Sequence, residues 1–186
     1  MFCEKRVAQM AAYLLHKRGG RMAYLKLMKL LYLSDRKSME MYGEPISGDR
    51  YVSMDKGPVL SRTYSLIVNG SESPEDGWDK WIKGEPDHNV SLRNDIHALE
   101  ELEDLSRADI RVMDVVYEEH GHRNRYDLCE QTHLICREWQ DPDGSSIPIP
   151  TRDIFRALGK PAEEAEIMAR NLQERDNLET ITASLR

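Results

Sequence analysis

The chain has 186 residues, 32% of them charged and 40% hydrophobic, with a formal net charge of −7 and a mean hydropathy of −0.65. That length suits one domain or one domain with an appended helix, and a domain of about 150 residues buries roughly 68–70% of its unfolded surface, enough for a core without metal or disulfide staples. The acidic balance argues against non-specific nucleic-acid binding, no apolar run approaches the roughly 20 residues that span a bilayer, and three cysteines fit a reducing cytoplasm better than a disulfide framework.

Val7, Ala8, Met10, Ala11, Leu14 and Leu15 recur at helical spacing, which predicts an amphipathic helix over 4–18, stopped by Gly19-Gly20. From Ala23 to about Tyr42 runs the strongest helical signal, apolar on most sides between Leu25 and Leu33. A helix apolar around so much of its circumference belongs at the centre of a core. Gly43 is placed as its left-handed terminator. Residues 45–59 read as short extended pieces joined by turns, and a third helix is predicted from Val59 or Leu60 to Val68.

Residues 71–77 (SESPEDG) read as a surface loop, and Trp78 to Leu92, with Gly84, Pro86 and Asn89, as irregular or short β structure. Ser106-Arg107-Ala108-Asp109 has the form of a capping box opening a helix to about Glu119. Another helix is predicted over Arg125–Arg137. Asp141 to Pro150 carries too much Pro and Gly for a regular element. A short helix follows from Thr151 to Gly159, and a last one starts at Pro161, with Glu163, Glu164 and Glu166 near its positive end. The expected fold is α+β and mainly helical: a compact single domain with a buried central helix and a small short-stranded β element. Residues 1–160 would form the domain and 161–186 a C-terminal helix packed on it or extending from it.

Charge is spread unevenly. Residues 1–37 carry nine Lys/Arg against two acids, and residues 95–119 nine Asp/Glu against two Arg. These faces either attract one another within the fold or present a docking surface to a charged partner.

Three stretches hold residue types that could carry chemistry. Cys129, His133 and Cys136 lie at i, i+4 and i+7, with His120 and His122 nearby; thiolate and imidazole suit zinc, but the spacing fits no standard finger or ribbon. Buried thiols and a core histidine explain the same face. Arg93-Asn94-Asp95-Ile96-His97 is a shortened version of the Arg…His pattern of small helical ribonucleases, in which Arg steadies phosphate and His moves protons. The helix–glycine–helix arrangement around Gly19-Gly20 has the outline of a helix-turn-helix, yet core leucines crowd its second helix. No metal or cofactor is expected, and nucleic acid is an unexpected partner.

One stretch is more specific. Lys26-Leu27-Met28-Lys29-Leu30-Leu31-Tyr32-Leu33-Ser34-Asp35-Arg36 leads to Met41-Tyr42-Gly43-Glu44-Pro45-Ile46-Ser47-Gly48-Asp49. Lys56-Gly57-Pro58-Val59 and Tyr64 follow, with Thr132-His133 and Trp139 further on. Over residues 5–155 this resembles the Panacea, or SocA-like antitoxin, domain. As residues, Lys29, Tyr32, Asp35, Gly43, Gly57, Pro58, Tyr64, Thr132, His133 and Trp139 read as scaffold, with Asp35, Lys29 and Tyr32 expected in one polar network beside the central helix.

The resemblance implies a non-enzymatic protein that neutralises an adjacently encoded toxin by direct contact. Related members imply two alternatives of the same fold, a protease adaptor and a phage- or prophage-associated interaction protein. A metal-dependent or ribonuclease-like enzyme is a distant third. Some members carry an added DNA-binding domain, for which this chain has no room. The expected partner is a cognate toxin, with a cellular protease if the role is adaptor-like. The residues expected to meet it are Lys17, Arg18 and Arg21 of the basic region and Pro45, Asp49 and Lys56 of the loop and hairpin.

Overall fold

The computed structural model describes residues 1–70 and 74–185, apart from the side chain of Ser184, so the first part of the loop expected over 71–77 lies outside the described residues. The described elements run α1 (Glu4–Lys17), β1 (Arg21–Ala23), α2 (Tyr24–Tyr42), β2 (Tyr51–Met54), β3 (Gly57–Leu60), α3 (Ser61–Asn69), α4 (Trp78–Trp81), β4 (Ile82–Glu85) and β5 (Asn89–Leu92). A single 3-10 turn at Leu99–Glu101 then precedes α5 (Arg107–His120), α6 (Arg125–Ile135), β6 (Ile147–Ile149), α7 (Thr151–Ala157) and α8 (Ala162–Ser184). The fold is α+β and mainly helical, as the periodicity predicts.

The central helix is α2. Every residue from Lys26 to Asp35 is buried, and the helix packs against α1, α5, α6 and β3. It ends where expected, at Gly43, whose φ of 78° lets its N–H reach the Met39 carbonyl at 3.0 Å. The capping box of α5 forms too: Ser106 Oγ accepts from Asp109 N at 3.1 Å, and the Asp109 carboxylate accepts from Ser106 N at 2.8 Å.

The β content forms two small antiparallel sheets, ordered β1-β5-β4 and β3-β2-β6. Three elements differ from expectation. Gly19-Gly20 not only stops α1 but turns the chain into β1, which pairs Met22 with Val90 of β5. Val59 and Leu60 lie in β3 instead of opening α3, because they pair with Val52 and Tyr51 of β2. Within 141–150, β6 forms despite its proline: Tyr51 faces Ile149 and Val52 faces Pro148. Pro148 is tolerated there because β6 is an edge strand, where a missing N–H need not break a ladder. A lesser difference is the end of α6 at Ile135, which leaves Cys136 as its cap and Arg137 beyond it.

The opposed charge clusters meet in part within the fold. Lys17 Nζ lies 2.7 Å from Asp114 of α5, which also accepts from Tyr13 Oη at 2.6 Å, and Gln9 holds both the backbone N–H and the carboxylate of Asp104. The first half of α8 packs against α7 and buries Ala165, with Met168 set against Gly43.

Candidate functional site

Residues from four separated stretches converge on one side of α2. The β2–β3 hairpin turns at Asp55-Lys56, and Gly57 then takes a φ of +98°, a conformation that favours glycine. A Cβ there would stand 2.6 Å from Thr132 Oγ1, 3.1 Å from Lys29 Nζ and 3.3 Å from the His133 ring. The hairpin can therefore sit against α2 and α6 only with glycine at this position. Lys29, wholly buried, donates to the Pro58 carbonyl at 2.8 Å. Trp139 Nε1 donates to the Met54 carbonyl at 2.9 Å, and its ring stacks on His133 at 4.1 Å between centroids. Lys29, Gly57, Pro58, Thr132, His133 and Trp139 are thus one cluster that clamps the hairpin.

Asp35 anchors a second cluster on the loop that follows α2. Its carboxylate accepts from Ile46 N at 3.0 Å, Ser47 N at 2.9 Å, Ser47 Oγ, and Tyr51 Oη at 3.1 Å. Burial still wins over these bonds and pushes its carboxyl up to about 6. Tyr32 belongs to a third group, donating to Glu138 at 2.7 Å, while Arg36 Nε reaches the same carboxylate at 2.8 Å. The single polar network expected of Asp35, Lys29 and Tyr32 is therefore three separate anchors. They split because the three side chains, spread over about two turns of α2, each meet a different neighbour: the hairpin, the segment beyond α6 and the loop after α2. An edge-on contact of the Tyr32 and Tyr51 rings, 5.9 Å apart, links two of them. Tyr64, half-buried on α3, packs against the core.

The residues expected at a partner surface are scattered. Arg18 and Arg21 are exposed at the C-terminal end of α1 and on β1, and Lys56 at the hairpin tip. Pro45 is half-buried in the loop after α2. Asp49 is only 7% exposed and has other work: it accepts from Arg62 N at 3.0 Å and from Thr63 N and Oγ1 at 2.9 and 2.7 Å. It caps α3 from a distance, an arrangement needed because Leu60, at the N-cap, has no acceptor side chain. Its carboxylate is thus committed to α3, although the residue also lines an open cleft.

Glu138, Ser47 and Thr63 are structural partners that sequence reasoning missed. One signal was available for the first. Arg36 follows ten residues with no break in burial, and a cation beside such a helix calls for a counterion.

The Cys/His face does not assemble a metal site: among the described residues no three His, Cys, Asp or Glu side chains are grouped to hold a cation. His133 stacks on Trp139, and burial pushes the Cys136 thiol up to about 12, as for an inert core cysteine. In the Arg93–His97 stretch, Arg93 donates to the Ile82 carbonyl at 3.4 Å and His97 is exposed. The helix-turn-helix outline fails on burial, since Lys26 and Lys29 of its second helix both point into the protein. Lys26 instead caps α5, donating to the Gly121 and Arg123 carbonyls.

Burial lowers Lys29 to about 8, a value often met in catalytic lysines, but a side chain with no exposure offers nothing to a substrate. The larger open feature is a cleft of about 1180 Å³ between the chain's first residues, the loop after α2, the segment leading into α5, and α8.

This is an α+β scaffold whose buried polar anchors fasten a β-hairpin and a loop onto one central helix. The family model described as antitoxin SocA-like, Panacea domain, matches residues 27–140, a stretch running from α2 to just past Trp139. The chain belongs to that family. No curated protein and no solved structure matches it. Among the described residues no helix is long and apolar enough to cross a membrane.

Proposed function

We propose that the chain is an antitoxin that neutralises a cognate, adjacently encoded toxin in the cytoplasm by binding it directly. Family membership over residues 27–140 carries this reading. Two features support it. The polar side chains of the family motif bond to the protein itself, leaving recognition to the exterior. The three cysteines are free thiols, two of them buried, in keeping with a reducing compartment.

The surface we propose for the toxin includes the exposed basic end of α1 and β1 at Arg18 and Arg21, with Lys17 beside them, together with Pro45 and Lys56. Asp49 is left out because it is buried. A stable complex of this kind buries on the order of 1,200–2,000 Å² in total. The test is co-expression of the neighbouring gene with and without this chain, followed by co-purification. A neutralised toxin that co-purifies in a stoichiometric complex is the expected result. Neutralisation that disappears in a protease-deficient host would mark an adaptor instead, and an unrelieved toxic neighbour would sink the assignment.

A further inference from the structure

The cleft beside α8 has a composition that selects its occupant. It is formed where four segments distant in sequence come together, and its apolar lining includes Phe2, Ile46, Leu105 and Leu172. Tyr42, 44% exposed, stands at its edge. Around this lining stand seven carboxylates against three cations, the guanidiniums of Arg6 and Arg175 and the terminal amine of Met1, which pairs with Asp176 and Glu179.

Three of the seven carboxylates are already occupied. Glu44 pairs with Arg175, Asp49 caps α3, and Asp109 closes the capping box of α5. Arg6, the second guanidinium, is spent on backbone, donating to the carbonyls of Asp104 and Ile46. Glu103, Asp104, Asp176 and Glu179 remain, and none of them is paired with a Lys or Arg side chain among the described residues. Asp176 and Glu179 accept only from the terminal amine of Met1, while Asp104 accepts from the neutral Gln9. Glu103 and Asp104 also wall a smaller neighbouring cleft, where Asp76 pairs with Lys5 and Lys80.

We propose that this cleft docks a basic, amphipathic segment of a partner protein, with its apolar side chains on Phe2, Leu105 and Leu172 and its Lys or Arg side chains between Glu103, Asp104, Asp176 and Glu179. The inference rests on the toxin-binding reading and names the partner chemistry that this reading leaves open. The size fits. A helix about 10–12 Å across rises 1.5 Å per residue, so about 1180 Å³ admits roughly two turns. That exceeds the 300–1,000 Å³ typical of small-molecule pockets. The charge excludes nucleic acid, whose phosphates would meet the same carboxylates. The acidic cleft lies at the N-terminal end of α1 and the basic Arg18 and Arg21 beyond its other end, about 20 Å away for a helix of 14 residues. Such separation of charge orients an incoming partner and rejects one presented the wrong way round.

The test uses the full chain and a probe that does not depend on the toxin. A fluorescent amphipathic peptide of Leu and Lys, and its Leu and Glu counterpart, are titrated against wild type, the Glu103→Lys/Glu179→Lys variant, and Glu130→Lys, which changes charge on the exposed face of α6. Thermal melts confirm that all three proteins fold. The basic peptide should bind wild type and Glu130→Lys alike and weaken with salt, the cleft variant should bind at least tenfold more weakly, and the acidic peptide should not bind. Equal binding to all three proteins, or no binding of the basic peptide, overturns the proposal. A toxin that co-purifies equally with wild type and the cleft variant also overturns it while leaving the antitoxin reading intact. Peptide binding confined to the cleft, with no toxin captured by either protein, upholds the cleft and sinks the antitoxin reading.

Discussion

Lys29→Met replaces a buried charge by an apolar side chain of similar reach, and the structure gives the terms on each side. Burial lowers the ammonium from 10.5 to about 8, and at about 1.4 kcal/mol per unit the charged form costs the native state about 3 kcal/mol at pH 7. Against this stands one charge-assisted bond. Pro58, with no N–H, faces Ser53 on the edge strand β3, and its carbonyl accepts from Lys29 at 2.8 Å. Leaving that carbonyl without a partner costs about 1–3 kcal/mol. The two effects nearly cancel, so at pH 7 the variant should be unchanged or more stable by up to about 2 kcal/mol. The pH dependence is the sharper reading. A base whose native value is depressed costs stability below that value and regains it as pH climbs to the unfolded value. Wild type should therefore gain about 3 kcal/mol on the variant between pH 8 and 10.5. Denaturant unfolding of both proteins, followed by tryptophan fluorescence at each pH, measures the difference, with tyrosine and cysteine titrations common to both. A variant that loses more than about 3 kcal/mol at pH 7, together with a flat difference across that window, would refute the reasoning. It would show that Lys29 holds more than the hairpin carbonyl.

Gly57→Ala combines a positive φ with a Cβ 2.6 Å from Thr132 Oγ1 and should lower stability by about 1–3 kcal/mol. Adding Thr132→Ala should recover only the steric part, and a thermal melt of the double variant separates the two causes. Asp35, raised from 3.8 to about 6, binds its extra proton in the native state, so stability should fall by about 3 kcal/mol as pH rises from 4 to 6 and then level off. Asp35→Asn should remove that slope, and a slope unchanged in the variant would assign it to other groups.

Periodicity was informative where one helix face or a whole helix is buried. The leucines of α2 and the small apolar residues of α1 announced both elements, and Gly43 and the Ser106 box marked ends that backbone geometry alone decides. The strands were harder because their pairing is non-local. Nothing within Arg21–Ala23 tells that it lies against Asn89–Leu92, and nothing in Ile147–Ile149 names Tyr51 as its neighbour. The cleft was illegible for the same reason. Its walls come from the first residues, the loop after α2, the entry to α5 and α8, segments that nothing in the sequence places together. Of the residues proposed from sequence for partner contact, Pro45 lines that cleft, whereas Asp49, which also lines it, is turned inward to serve α3.

The buried anchors along α2 and the exposed charges of the cleft differ in their energetics, although Tyr42, Glu44, Pro45, Ile46 and Asp49 of the motif stretch line that cleft. Lys29, Asp35, Tyr32 and Glu138 are buried polar groups, each bonded to a fixed partner. Removing Asp35, Tyr32 or Glu138 leaves an uncompensated polar group in the interior, so these positions tolerate little change, whereas at Lys29 relief of the buried charge offsets the lost bond. The carboxylates of the cleft are held differently. Glu44 and Asp176 lie 47% and 42% exposed, where an ion pair contributes about 0–1 kcal/mol and substitution leaves the fold intact. A change of charge there alters which segment is attracted and how fast it arrives, with little effect on the anchors of hairpin and loop. On this division of labour the proposed contacts at the cleft and the basic end of α1 can change charge while the seam along α2 is kept. The same division makes the proposal exposed to test, because stability should follow the seam and affinity should follow the cleft.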